Sequence, residues 1–334
     1  MGELTIGIGM SHGPLVVCEA PTWLRIGELD HHSTLLVDTT GKPVTFEELA
    51  RANGDRYAEQ ATLEQLERQC QQVKGSVARL KHELADAAPD VVVVIGDDQF
   101  ELFDHDNMPA LALYYGEELI SCTHTRRGRY GAKVGGLDDV HKGYGMDEHR
   151  RWPGHQPLAL HLVASLIDRH FDVSAVRGIS DPDRGAIGHA FGVVEVQLMD
   201  EEKIPLVPVF VNTYWPPNQL PPARCYELGL ALRDAIEAYP EDLRVALVAS
   251  GGLSHFVTDE ALDQRTLEAL RAGDAQALCE LPPHLLNSGN SEVRNWIVVA
   301  AACQGMQLAW DDYIPVYRTA AGTGCGLTFA RWAA

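Results

Sequence analysis

The sequence predicts an α/β fold: a central, mostly buried mixed sheet flanked by helices and elaborated within a single domain, residues 1–334. Two observations carry this expectation. Short apolar runs recur at Leu4–Ile8, Val91–Ile95, Leu111–Tyr115, Val193–Leu198, Leu206–Val211, Val245–Ala249 and Leu327–Ala330. Such runs, apolar or nearly so, mark strands covered on both faces. Helical patterns alternate with many of them, as in folds that pack helices onto a sheet.

In chain order, the first run leads into Gly9-Met10-Ser11-His12-Gly13-Pro14, a strand followed by a turn. A helical insertion is predicted around 45–88, where Leu63, Leu66, Cys70, Val73, Val77, Leu80 and Leu84 step by threes and fours. That seam suits a long amphipathic helix lying on the sheet, or else a dimer contact. The run Val91–Ile95 leads past Gly96 into Asp97, Asp98 and Gln99. The stretch around 126–153 is rich in Gly, Arg, His and Asp, has no period, and reads as a long loop. Further helices are predicted at Gln156–His170, Pro222–Ala238, Glu260–Ala272 and Ser291–Gln304.

Composition narrows the function. With 47 acidic against 27 basic side chains, the formal charge is −20, which repels nucleic acid and anionic membranes. An anionic substrate then needs a local basic cluster. Arg126, Arg127, Arg129, Lys133, Lys142, Arg150 and Arg151 supply one in the long loop. The N-terminal segment lacks the basic flank and long apolar core of a signal peptide, and no run is long enough to span a bilayer, so a cytoplasmic protein is expected. The seven Cys are scattered without CxxC spacing, which predicts neither a disulfide frame nor a thiolate metal site.

The chemistry is predicted at strand ends, where α/β sheets place their ligands. His12 follows the first run; His255 follows Val245–Ala249 across Ser250-Gly251-Gly252-Leu253-Ser254; Asp97, Asp98 and Gln99 follow Val91–Ile95. Read singly, each fits a capped turn or a structural histidine. A serine hydrolase is disfavoured because Ser254 adjoins His255 and no G-x-S-x-G elbow is present. A dinucleotide fingerprint is disfavoured because Gly322-Thr323-Gly324-Cys325-Gly326 precedes a strand.

Read together, several segments resemble the class III extradiol dioxygenases, the superfamily of the protocatechuate 4,5-dioxygenase catalytic subunit and its gallate and 3-O-methylgallate relatives. They are Gly9–Pro14, Gly154-His155-Gln156-Pro157-Leu158-Ala159-Leu160-His161, Arg224-Cys225-Tyr226-Glu227-Leu228-Gly229, Ser250-Gly251-Gly252-Leu253-Ser254-His255 and Glu292-Val293-Arg294-Asn295-Trp296. The resemblance implies Fe(II), with His12 and Glu292 as metal ligands and His255 as the acid/base that opens the ring of a catecholic acid with O2. It implies substrate or neighbouring contacts for His189 and His161, and Tyr214 with Trp215 fits an aromatic pocket. One departure stands out: the register that carries a second metal-binding His in better-known members reads Asp97-Asp98-Gln99 here. A third ligand from Gln99, His105 or Asp98 is left open, as is a relative of altered metal site and different activity. A homodimer is a further expectation.

Overall fold

A computed structural model of the protein describes residues 1–123, 137–199 and 203–333. Arg126, Arg127, Arg129 and Lys133 of the expected basic loop lie outside the described residues. The strands are β1 (Gly2–Met10), β2 (Val91–Gly96), β3 (Leu111–Tyr114), β4 (Glu118–Ile120), β5 (Arg151–Pro153), β6 (Ser174–Val176), β7 (Leu206–Val211), β8 (Leu243–Ser250), β9 (His255–Val257), β10 (Gln307–Tyr317) and β11 (Thr323–Ala333). The helices are α1 (Ala20–Leu29), α2 (Phe46–Asn53), α3 (Leu63–Ala87), α4 (Asp138–Gly143), α5 (Gln156–Asp168), α6 (His189–Val194), α7 (Pro222–Glu237), α8 (Glu260–Ala272), α9 (Ala275–Cys279) and α10 (Val293–Ala302).

The main sheet runs β10-β11-β1-β8-β2-β7-β3-β6, with β9 paired to β11. It is mixed: β1, β8, β2 and β7 are parallel neighbours, β11 runs antiparallel to β1 and β10, and β3 runs antiparallel to β7 but parallel to β6. Alternation along β2 explains why its run is wholly apolar. Val92 and Val94 enter the core on one face, Val91, Val93 and Ile95 the core on the other. On β1, Ile6, Ile8 and Met10 fill the first core, while Gly7 and Gly9 turn to the second face. There α10 approaches so closely that a Cβ on Gly9 would stand 2.2 Å from the Trp296 ring.

The seam of α3 is consumed internally. Leu66, Cys70, Val73, Val77, Leu80 and Leu84 are all buried in the first core, and only Leu63 of the seven is exposed. The apolar face of the helix is therefore turned into the molecule, and that face is not free for a dimer contact. The expectation of a strand at Val193–Leu198 is corrected: these residues continue α6 into a π-helical turn, Glu195–Met199. The alternation of Val194, Val196 and Leu198 with Glu195 and Gln197 mimics a strand, and tertiary packing makes the segment helical instead. The later part of the expected long loop is also ordered, as α4 and β5.

Candidate metal centre

Because β1, β8 and β2 are parallel neighbours, their C-terminal ends line up; Met10 is level with Ser250, and Ala249 with Ile95. The residues just beyond them, His12, Asp97 and His255, are thereby delivered to one edge of the sheet. A fourth group comes from the turn that starts α10. Its Trp296 Nε1 donates to Gly251 O at 2.7 Å and Asn295 Nδ2 to Ser250 O at 2.9 Å, pinning the helix start to the end of β8. Gly251, at φ +151°, has a backbone that side chains rarely adopt, and a Cβ there would stand 3.0 Å from Glu292 Cβ.

Glu292 is fully buried, and its Oε2 gathers three contacts: His12 Nε2 at 3.0 Å, His255 Nε2 at 3.1 Å and the N–H of Gly252 at 2.9 Å. Burial pushes its carboxyl up, but the two imidazoles outweigh burial and hold it well below the usual range. Each imidazole is fixed from behind. His12 Nδ1 lies 3.1 Å from Ser250 Oγ, and His255 Nδ1 lies 3.2 Å from Leu253 O. A carbonyl oxygen only accepts, so Nδ1 of His255 carries hydrogen and Nε2 faces the centre.

His12 also belongs to a second group. One ligand atom each of His12, Asp97 and His189 lie within 4.8 Å of one another, as do those of His12, His255 and Glu292. His189 is buried, with Nδ1 2.5 Å from Glu101 Oε1. Burial opposes its charged form, but Glu101 prevails and lifts it to about 10. Asp97 is pushed up to about 6, first by burial and then by the charge of Glu292.

Two buried carboxylate oxygens in this centre, Glu292 Oε1 and Asp97 Oδ1, have no hydrogen-bond partner. An anionic oxygen shut away from water without a donor is costly, and a cation relieves that cost. The donor set of imidazoles and carboxylates suits a divalent transition metal. The residues present thus fit a metal ion.

The other expected site residues are placed as follows. Gln99 Nε2 donates to Asp97 Oδ2 at 3.3 Å, and its backbone N–H donates to Glu101 Oε2 at 2.7 Å. Asp98 is taken up by the turn, its carboxylate accepting the N–H groups of Phe100, Leu102 and Phe103. His105 is exposed and packs on Phe100 and Trp215, with ring centroids 4.5 and 5.9 Å away. Neither Asp98 nor His105 joins the two groups. Tyr214 is buried, 5.1 Å from the Trp215 ring, which in turn stacks on Phe100 at 4.1 Å. His161 sits on α5, its Nε2 2.8 Å from Ala235 O of α7, outside both groups.

Sequence reasoning missed two participants, Glu101 and the ligand-like placement of Asp97. The second had a signal, since Asp97 is the first residue beyond β2. Glu101 had none, because its partner arrives from α6.

The model for the catalytic LigB subunit of aromatic ring-opening dioxygenases matches residues 60–328. Similar proteins include a gallate dioxygenase of Pseudomonas putida, 36% identical over 160 residues, covering 44% of this chain and 45% of the relative. A 2,3-dihydroxyphenylpropionate/2,3-dihydroxicinnamic acid 1,2-dioxygenase of Comamonas testosteroni is 28% identical over 182 residues, covering 54% and 47%. One of the same name from a Rhodococcus species is 24% identical over 239 residues, covering 69% and 65%. The chain spans about half the length of the first two curated relatives. No helix among the described residues is long and apolar enough to cross a membrane. With the family model matching most of its length and a metal-competent centre at the sheet edge, the chain belongs to the family of catalytic LigB subunits of aromatic ring-opening dioxygenases.

Proposed function

We propose that this protein is an extradiol dioxygenase that opens the ring of a catecholic acid, with Fe(II) held at the centre built on His12 and Glu292. One observation carries the reading: a buried glutamate oxygen touched by the Nε2 atoms of two histidines, beside two carboxylate oxygens left without partners. The metal, when bound, supplies the site where a catecholate and O2 are brought together. The protein's part is position and proton control.

His255 is the proton-transfer residue. Its Nδ1 is committed to Leu253 O, so Nε2, which faces Glu292 Oε2 at 3.1 Å, is the atom that exchanges a proton with the substrate hydroxyl. His189, held by Glu101 at the opposite side of His12, presents a second imidazole to the substrate. Tyr214, Trp215 and Phe100 form an aromatic group beside the Asp97–Gln99 turn, suited to a flat substrate. Arg150 and Arg151 of the expected basic cluster are paired with Asp147 and Glu118, which argues against their use in carboxylate capture.

The test is anaerobic loading with Fe(II), then O2 uptake with a panel of catecholic acids that includes gallate and 2,3-dihydroxyphenylpropionate. A yellow ring-opened product with stoichiometric O2 consumption is expected. Absence of both across the panel, from protein that carries iron, would overturn the reading.

A further inference from the structure

We propose that Asp97 is a direct protein donor to the metal, and that Gln99, in the register where better-known family members carry a histidine, positions Asp97 instead of binding the metal itself. The proposal rests on the metal centre described above, not on the substrate or the reaction.

Asp97 stands immediately beyond β2, whose end is level with that of β8. It is only 1% exposed, and a carboxylate oxygen lies within 4.8 Å of ligand atoms of both His12 and His189. Its Oδ2 accepts Gln99 Nε2, whereas Oδ1 has no partner. The carboxylate is thus held on one oxygen and open on the other. This is the usual arrangement of a metal-binding carboxylate steadied by a neighbour.

The alternatives are less suited. The Gln99 side chain turns its nitrogen to Asp97, and its neutral amide oxygen is a weaker donor to a dication than a carboxylate oxygen. Asp98 accepts three backbone N–H groups from its own turn. Among the described carboxylates of the centre, the oxygens that lack partners are on Asp97 and Glu292, and both neighbour His12. Two buried carboxylates, each with an oxygen open beside His12, form a place for a dication, which a neutral glutamine would not create.

The experiment is metal binding without substrate or O2. Wild type, Asp97→Asn, Gln99→Ala and His255→Ala are stripped of metal, checked for native circular dichroism and melting, and titrated anaerobically with Fe(II) and with Co(II), whose visible bands report its ligands. Asp97→Asn is nearly isosteric, so it keeps the fold. We expect it to weaken both metals by more than about a hundredfold and to change the Co(II) bands, while Gln99→Ala costs about ten- to a hundredfold, as an outer residue does. His255→Ala keeps its metal. Wild-type affinity in Asp97→Asn overturns the proposal. So does loss of metal in Gln99→Ala or His255→Ala with retention in Asp97→Asn, or a wild type that binds neither metal. A wild type that binds metal as expected yet opens no ring would refute the function proposed above and leave Asp97 in place.

Discussion

His12 Nε2 stands 3.0 Å from Glu292 Oε2, although one residue follows the first strand and the other opens the last helix. Removing the carboxylate takes away the anion on which the imidazoles of His12 and His255 converge. Glu292→Ala is therefore expected to reduce bound iron from near one per chain to near none, measured after anaerobic loading and desalting. Full retention would remove Glu292 from the ligand set.

His255 separates from Glu292 in its effect. With Nε2 serving proton transfer, His255→Ala should keep its iron and lose about 10²- to 10⁴-fold in turnover. Measuring kcat beside iron content tests this, and an unchanged kcat would be incompatible with the role.

Asp263 gives a pH dependence that is independent of metal. It is fully buried and accepts Ser254 N–H and Oγ–H, both at 2.7 Å, and the Tyr313 hydroxyl at 2.8 Å. Burial nevertheless outweighs these donors and lifts its carboxyl from 3.8 to about 7. A group raised in the folded state contributes stability fully below its unfolded value and loses it as pH climbs to its folded value. Wild type should therefore lose on the order of a few kcal/mol from this residue between pH about 4 and about 7. Asp263→Asn should flatten that slope in urea unfolding followed across pH; parallel slopes would contradict it.

Gly9 offers a steric test. A Cβ there meets the Trp296 ring at 2.2 Å, and Trp296 is anchored to Gly251 O. Gly9→Ala should cost about 1–3 kcal/mol from overpacking and also weaken metal binding, because displacing Trp296 displaces Glu292. A melting temperature and iron affinity equal to wild type would show that α10 can retreat freely.

His161, expected from resemblance to touch substrate, is committed to Ala235 O. His161→Ala should leave kcat/KM unchanged while lowering stability by about 1 kcal/mol. A selective loss of kcat/KM would restore it to the site.

Much of the fold was legible because strands buried on both faces announce themselves as apolar runs, as Val91–Ile95 does. Val193–Leu198 was not, since its alternation of apolar residues with Glu195 and Gln197 reads as a strand and only tertiary packing makes it helical. Strand order was hidden as well: nothing local in Leu4–Ile8 or Val245–Ala249 says that they lie side by side. The candidate centre was legible where a residue follows its strand directly, as His12 and His255 do. Glu101 was illegible because its meaning comes from His189, brought by tertiary packing alone. His105 looked close to the centre in sequence, but the turn organised by Asp98 directs it to the surface.

The sheet order also governs when the centre can exist during the protein's making. Strand β1 is held between β8 and β11, and His255 is paired with Cys325 of β11. Residues of β1 thus wait for a strand far later in the chain before their pocket closes, and contacts of such separation form late. A nascent or truncated chain lacking β11 lacks the wall behind His255. A complete metal centre accordingly forms only once β11 has joined the sheet beside β1.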